Sequence, residues 1–211
     1  SGVNVISLGQ VTTPMTYFSL FEMNLDGAIM VTGSHNPPEY NGFKICVGKG
    51  TLHGQDIQEL RKLMERGGFA KGDQEGALEA SDIFPKYLNF VRKDVKLSRP
   101  LKIVVDSGNG ASSSFAPQVY RDLGCEVIEL FCKPDGRFPN HPADPTVEKN
   151  LQDMIKAVKE SRADAGIAFD GDADRVFLVD DLGAPVSGST TTRSPVAGVT
   201  IIVTNQAGTE V

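Results

Sequence analysis

"LKIVVDSGNGASSSFAPQVYRDLGCEVIELF", residues 101–131, is the stretch that decides the fold class. Its apolar run Ile103 to Val105 is short and β-branched, which suits a buried strand better than a helix. "GNG" at 108–110 supplies a turn, and "ASSSFAPQVYRDLG" reads as a helix that closes on Gly124, its start delayed by Pro117. "CEVIELF" resumes as a strand. A strand, a helix and a strand in this compass make a right-handed βαβ crossover with parallel strands, and ligands are expected at the strands' carboxyl ends.

Toward the C-terminus a Pro/Gly/Asn/His loop follows, and Asp144 with Pro145 is expected to open a helix whose Val147, Leu151, Met154, Ile155 and Val158 form an apolar stripe. "ADAGIAF", residues 163–169, is a third strand. Beyond Gly183 "APVSGSTTTRSP" reads as a linker, and "GVTIIVTNQAGTEV" as a strand and a turn. That last segment echoes "RVFLVDDLGAPV", but one short echo does not establish a repeat.

Toward the N-terminus the pattern is also α/β. "VNVISL" (3–8), "GAIMVT" (27–32) and "FKICVG" (43–48) read as strands, and Pro14 opens a helix after Thr13. "GQDIQELRKLMERGG" places Ile57, Leu60, Leu63 and Met64 on one helical face. Residues 70–80 suit a loop, after which Ser81 is the expected N-cap of a helix with Pro85 in its first turn. The expected architecture is two α/β domains with mixed, mostly parallel sheets flanked by helices. They span residues 1–80 and 81–183, with 184–211 as a divergent tail or linker.

Composition sets outer bounds. Of the 211 residues, 40% are hydrophobic and 23% charged, as in ordinary globular proteins. A formal net charge of −6 argues against nucleic acid and anionic membranes as partners, so any phosphate must be held by local positive groups. No apolar stretch approaches a bilayer's span and no signal-like segment opens the chain, which makes a cytoplasmic location the default expectation. Cys46, Cys125 and Cys132 are odd in number and lie in or beside apolar runs, which fits reduced core thiols. The start at Ser1, directly before an apolar run, suggests that an upstream piece is absent.

Two short motifs carry chemistry. In "FDGDADRVFLVDD", residues 169–181, Asp170, Asp172 and Asp174 alternate at a strand end, so three carboxylates converge. Together they repel, and a divalent cation relieves the conflict; an all-oxygen donor set favours Mg²⁺, Mn²⁺ or Ca²⁺. An EF-hand loop begins the same way, but Arg175 stands where that loop needs glycine, and strands rather than helices flank it. A solvated acidic turn is the plain alternative.

The second motif, "VTGSHNPPEYNGFK" at 31–44, sets Ser34, His35 and Asn36 on a bend stiffened by Pro37 and Pro38. It is either a simple turn or a nucleophilic serine with His35 as proton-transfer or orienting partner. No GxSxG elbow is present, which leaves a hydrolase triad unsupported. A cation held by three carboxylates has positions for a phosphate oxygen, and a phosphate on Ser34 would need Arg175 and Lys44 as further compensation. "DSGNGAS", residues 106–112, lacks the Walker lysine and reads as a tight strand-to-helix turn. His53 and His141 read as ordinary loop or surface residues.

Taken together, "TGSHNPPEYNGFK" and "DGDADR" resemble the α-D-phosphohexomutases, specifically the bacterial phosphomannomutase/phosphoglucomutase branch. The resemblance runs from about residue 3 to about residue 183 and includes Thr13-Pro14, "VVDSGNGA" and "PNHPADP". Phosphoglucosamine mutases are similar too, but Thr32-Gly33 and Ala173 lean toward the hexose branch. The resemblance implies that Ser34 is phosphorylated and that Ser34, Asp170, Asp172 and Asp174 hold one Mg²⁺. It implies that His35 and Lys44 are catalytic, that Asn36 belongs to the same loop, and that Arg175 contacts the phosphoserine.

The implied reaction interconverts hexose 1-phosphate and 6-phosphate through a hexose 1,6-bisphosphate intermediate that also serves as activator. The implied partner is a phosphosugar, with neither nucleic acid nor membrane. Family members have four domains, of which this chain resembles the later part of the first and the whole second. The rival expectation is therefore a Mg²⁺- and phosphate-binding fragment without turnover.

Overall fold

The computed structural model describes residues 2–67, 69–70 and 72–186. Its first half contains β1 (Val5–Ser7), α1 (Thr13–Glu22), β2 (Gly27–Val31), β3 (Phe43–Val47), β4 (Gly50–Thr51), α2 (Gln55–Arg66) and β5 (Leu78–Ala80). The second half contains α3 (Phe84–Asp94), β6 (Lys102–Asp106), α4 (Ala116–Asp122), β7 (Glu126–Leu130), α5 (Gln152–Ser161), β8 (Ala165–Phe169) and β9 (Val176–Asp180). The expected linker beyond residue 186 and the strand of residues 199–204 lie outside the described residues.

The four-stranded sheet runs β7-β6-β8-β9, parallel except for β9. β6 is central and buried on both faces, which is why its sequence is continuously apolar instead of alternating. The pleat sends Val104 to one side, with Met154 and Val158 of α5, Ala168 and Val179. It sends Ile103 and Val105 to the other, with Ala116, Cys125 and Ile167. Met154 and Val158 are fully buried, and each contributes roughly 1.5–3 kcal/mol of transfer free energy.

In the first half, β2, β3 and β4 form an antiparallel sheet, while β1 pairs in parallel with β5. α1 covers one face of β2 and β3. An aromatic cluster joins the halves: Phe18 of α1 meets Tyr87 of α3 edge-on at 5.5 Å and Phe90 of α3 at 5.3 Å. The opposite sheet face is open, with Ile29, Val31, Phe43 and Val47 all more than half exposed. Among the described residues the apolar stripe of α2 is not buried either.

Two helix starts differ from expectation. Ser81 does not cap α3; its N–H bonds the Ser7 carbonyl, and Asp82 accepts the Phe84 N–H instead. Asp144 does not open a helix either, because its carboxylate folds back to accept the N–H and hydroxyl of Thr146. A 3-10 turn then precedes α5, so Val147 stays exposed while Leu151 and Met154 are buried. Pro117 acts as expected: residues 111–114 form a 3-10 turn and α4 begins at Ala116. The three cysteines are free thiols, Cys46 and Cys125 buried.

The halves share an order that their sequences hide. β1, α1, β2, β3 and β7, α5, β8, β9 are each strand, helix, strand and antiparallel strand. The connection between the last two strands carries the serine motif in one unit and the aspartates in the other. The units bring these two connections face to face.

Candidate active site

Ser34 sits on a bend that the backbone builds tightly. Thr32 donates its N–H to the Gly42 carbonyl at 3.0 Å and accepts the Ser34 N–H on Oγ1 at 2.8 Å; Asn36 N–H closes a turn onto the Gly33 carbonyl. Ser34 has φ 54°, a left-handed conformation that a non-glycine residue adopts only where its surroundings impose it. The bend meets the aspartate loop backbone to backbone: a Cβ on Gly171 would run into the Ser34 carbonyl oxygen. Only glycine allows that approach.

Asp170 follows β8 and is fully buried. Its Oδ2 accepts Ser34 Oγ at 3.2 Å, across 136 residues, and Arg175 binds the same carboxylate through Nε at 3.0 Å and a terminal nitrogen at 2.8 Å. Arg175 also reaches His35 Nδ1. Ser34 Oγ lies 3.3 Å from that same Nδ1.

Asp172 is 2% exposed and accepts Thr13 Oγ1 at 2.8 Å and Lys44 Nζ at 2.6 Å on Oδ2. Lys44 also bonds Asp174 at 2.6 Å. Register explains its reach: Lys44 stands opposite Met30 on the sheet face that packs against α1, and the Thr13 N–H at the start of α1 bonds the Asp172 carbonyl.

One carboxylate oxygen from each of Asp170, Asp172 and Asp174 lies within 4.8 Å of the others. Asp172 Oδ1 is buried without a hydrogen-bond partner, an arrangement that normally costs about 1–3 kcal/mol unless something further binds there. Hard oxygen donors around an orphaned lone pair fit a divalent cation of the Mg²⁺ or Mn²⁺ type.

The electrostatics agree. Burial and the charges of Asp172 and Asp174 raise Asp170 to about 6, against the opposing pull of Arg175. Burial pushes Asp172 up as well, but Lys44 and the hydroxyls of Thr13 and Thr32 hold it below its ordinary value. Burial disfavours the Lys44 charge, yet its bonds to Asp172 and Asp174 keep it more basic than a free lysine.

All eight residues singled out in the sequence converge here. Asn36 is exposed and lines, with Thr32, Ser34, Tyr40, Gly136 and Phe138, a cleft of about 190 Å³ between the halves. A larger groove of about 390 Å³ lies away from it, between Leu130–Phe131 and α5. Sequence reasoning missed Thr13 as a partner of Asp172, and Phe138 and Gly136 as cleft walls. It also missed Asp144, which burial pushes up but which Thr146, His35 and Arg175 together hold low. His53 is an exposed loop residue as expected, whereas His141 is not: its side chain is 14% exposed and ion-paired with Asp106.

Two family models match the chain: phosphoglucomutase/phosphomannomutase alpha/beta/alpha domain I over residues 1–71 and domain II over residues 85–183. A phosphoglucomutase of Neisseria meningitidis is 49% identical over 85% of this chain and 39% of the relative. A phosphomannomutase/phosphoglucomutase of Pseudomonas aeruginosa is 46% identical over 86% of this chain and 39% of the relative. Among solved structures, a phosphoglucomutase/phosphomannomutase family protein of Burkholderia thailandensis superposes with a TM-score of 0.83 at 42% identity, over 88% of this chain and 42% of that one. The chain thus spans about two-fifths of the length of these relatives. With the serine bend, the aspartate loop and the two matched domains all in agreement, the chain belongs to the α-D-phosphohexomutase family.

Proposed function

We propose that this chain carries the phosphoserine and metal half of a phosphohexomutase that interconverts hexose 1-phosphate and 6-phosphate. The observation that supports this most directly is the approach of Ser34 Oγ to Asp170, at 3.2 Å, beside three convergent carboxylates. Ser34, Asp170, Asp172 and Asp174 would hold one Mg²⁺, which when bound neutralises charge on the phosphoryl oxygens. Residues 1–80 act as the serine-bearing domain and 81–183 as the metal-loop domain.

The remaining roles follow from the chain's own groups. In the accepting step, Ser34 Oγ forms a bond to phosphorus of a hexose 1,6-bisphosphate while the sugar oxygen–phosphorus bond breaks. The Ser34 proton is the one the sugar oxygen takes up as it leaves as a hydroxyl, with His35, whose Nδ1 lies 3.3 Å from Ser34 Oγ and against Arg175, orienting the serine. Arg175, fixed by Asp170, sits where a phosphoryl group on Ser34 would need positive charge. Lys44, kept protonated between Asp172 and Asp174, adds a second cation. Such transfer depends chiefly on positioning and charge compensation.

The substrate is a phosphosugar, with neither nucleic acid nor membrane as partner, and the location is cytoplasmic. No helix among the described residues is long and apolar enough to cross a membrane. The second reading is a phosphate- and metal-binding unit without turnover. Incubation with glucose 1,6-bisphosphate and Mg²⁺, followed by intact-mass measurement, separates the stages. One added phosphate, absent in Ser34→Ala, supports acceptance; no added phosphate refutes it. Interconversion of the 1- and 6-phosphates then tests turnover.

A further inference from the structure

Asp106 ends β6 with 1% exposure and meets the imidazole of His141, whose Nε2 lies 3.1 Å from Oδ2 and 3.3 Å from Oδ1. The other ring nitrogen, Nδ1, lies 2.8 Å from the Pro142 carbonyl oxygen. A carbonyl only accepts, and so does a carboxylate, so an imidazole facing both donates at both nitrogens and is charged. Burial pushes His141 down, but the bonds to Asp106 and Pro142, with the negative charges of Asp106 and of Asp153 in α5, hold it above its ordinary value. The other neighbours are uncharged: Phe131 packs edge-on at 5.2 Å, and Gly108 and Ala143 lie beside the ring.

What the pair holds is the turn behind the aspartate loop. Asp106 Oδ1 accepts the Gly108 N–H at 2.9 Å, and Gly108, at φ 49°, leaves only 3.3 Å between an added Cβ and His141 Cε1. The Asn140 side chain donates to Asn109 Oδ1 at 2.7 Å, a second stitch between the same two segments. From this turn the Ala111 N–H reaches the Gly171 carbonyl at 2.9 Å, and a Cβ on Gly110 would stand 2.7 Å from that carbonyl oxygen. Gly171 lies between Asp170 and Asp172 in the chain and against Ser34 in space.

We propose that the His141–Asp106 ion pair is a positioning pair for the aspartate loop: by clamping the 135–143 segment onto the 107–111 turn, it sets the place of Gly171 and with it the spacing of the metal-binding carboxylates. His141 touches neither substrate nor metal ligand in this role. The effect on metal rests on the metal-site reading above; the coupling between the loops does not.

The test compares wild type with His141→Gln, which keeps a donor toward Asp106 but carries no charge, by hydrogen exchange and by Mn²⁺ titration. In the variant, peptides covering 107–111 and 168–175 exchange severalfold faster while β6 keeps its protection, the signature of a local rather than a global opening. Mn²⁺ binds about tenfold more weakly, the lower end of the range for lost outer-shell partners. In wild type, raising the pH toward 9 removes the imidazolium and weakens Mn²⁺ binding, whereas carboxylate ligands alone would not; the variant loses that dependence.

Equal exchange in both loops, with equal Mn²⁺ affinity, overturns the proposal. Faster exchange in a protein whose wild type binds no Mn²⁺ would instead leave the clamp standing and sink the metal site. If His141→Gln does not fold, the wild-type profile decides alone. Exchange in 168–175, corrected for its intrinsic pH dependence, must then rise toward pH 9, and a flat profile overturns the proposal.

Discussion

Gly171→Ala tests the contact on which the proposed chemistry depends. Gly171 is not among the left-handed residues, so alanine suits its backbone and the change acts through space alone. The new Cβ would lie inside contact distance of the Ser34 carbonyl oxygen, with the Ala143 methyl 3.8 Å away. Neither loop is free to yield: the Gly171 carbonyl is held by the Ala111 N–H at 2.9 Å, and Ser34 by the Thr32 hydroxyl at 2.8 Å. The loops must therefore part by on the order of 1 Å, a displacement that can cost about 100-fold in a positioned reaction. The overpacking itself costs about 1–3 kcal/mol of stability.

The assay is the rate of single phosphate addition to Ser34 from glucose 1,6-bisphosphate and Mg²⁺, read by intact mass, beside a urea melt of the same variant. The expected result is a rate about 100-fold lower in a protein that is still cooperatively folded under assay conditions. A folded Gly171→Ala protein that accepts phosphate at the wild-type rate would refute the claim that the loops meet at this glycine.

Other predictions follow from the same geometry. Asp172→Ala removes the buried carboxylate with the orphaned oxygen and should weaken Mn²⁺ binding at least tenfold by calorimetry; unchanged affinity places the cation elsewhere. Asp170 is raised to about 6 by burial and neighbouring charge, so below that pH a proton competes with the cation and the Mn²⁺ affinity falls as pH drops from 7 to 5. For the metal-free protein the sign is opposite. A carboxyl whose folded pKa lies above its unfolded value contributes stability at low pH that is lost as pH rises through about 6, and added Mg²⁺ reverses that loss; thermal melts at pH 5 and 7 check it. Met154→Ala, at a fully buried position, should cost about 2–5 kcal/mol in denaturant melts, whereas Phe43→Ser, at 67% exposure, should stay within about 0.5 kcal/mol.

The second half of the fold was legible because its elements obey local rules. The run at 101–107 reads as a strand and proves to be β6, buried on both faces, and Pro117 marks the first turn of α4. The failures share a cause. Ser81 and Asp144 both carry the right side chain for an N-cap, but the Ser81 backbone is held by the distant Ser7 carbonyl, and the Asp144 carboxylate closes on Thr146 two residues on instead of starting a helix. The stripe on α2 shows the converse, since a correct periodicity specifies an apolar face without saying what covers it. His141 was misread because its partner, Asp106, lies 35 residues away at the end of another strand.

The site was legible for a different reason. Its two motifs are short and chemically dense, and each lies at a connection between two antiparallel neighbouring strands, β2 and β3 for one and β8 and β9 for the other. The distance between them in sequence disappears because the two connections meet in space, through Ser34 to Asp170 and Thr13 to Asp172. The aromatic packing of α1 on α3 joins the two halves and holds the connections against each other. Residues that link the loops, such as Thr13 to Asp172 or Gly171 to Ser34, carry no local signature. A hydroxyl at a helix start and a glycine in a turn have ordinary explanations until the opposing loop is in place. Local pattern thus specifies which groups can do chemistry, and the pairing of like units specifies which of them meet. Disturbing the α1–α3 packing should accordingly impair the site without changing any residue in it.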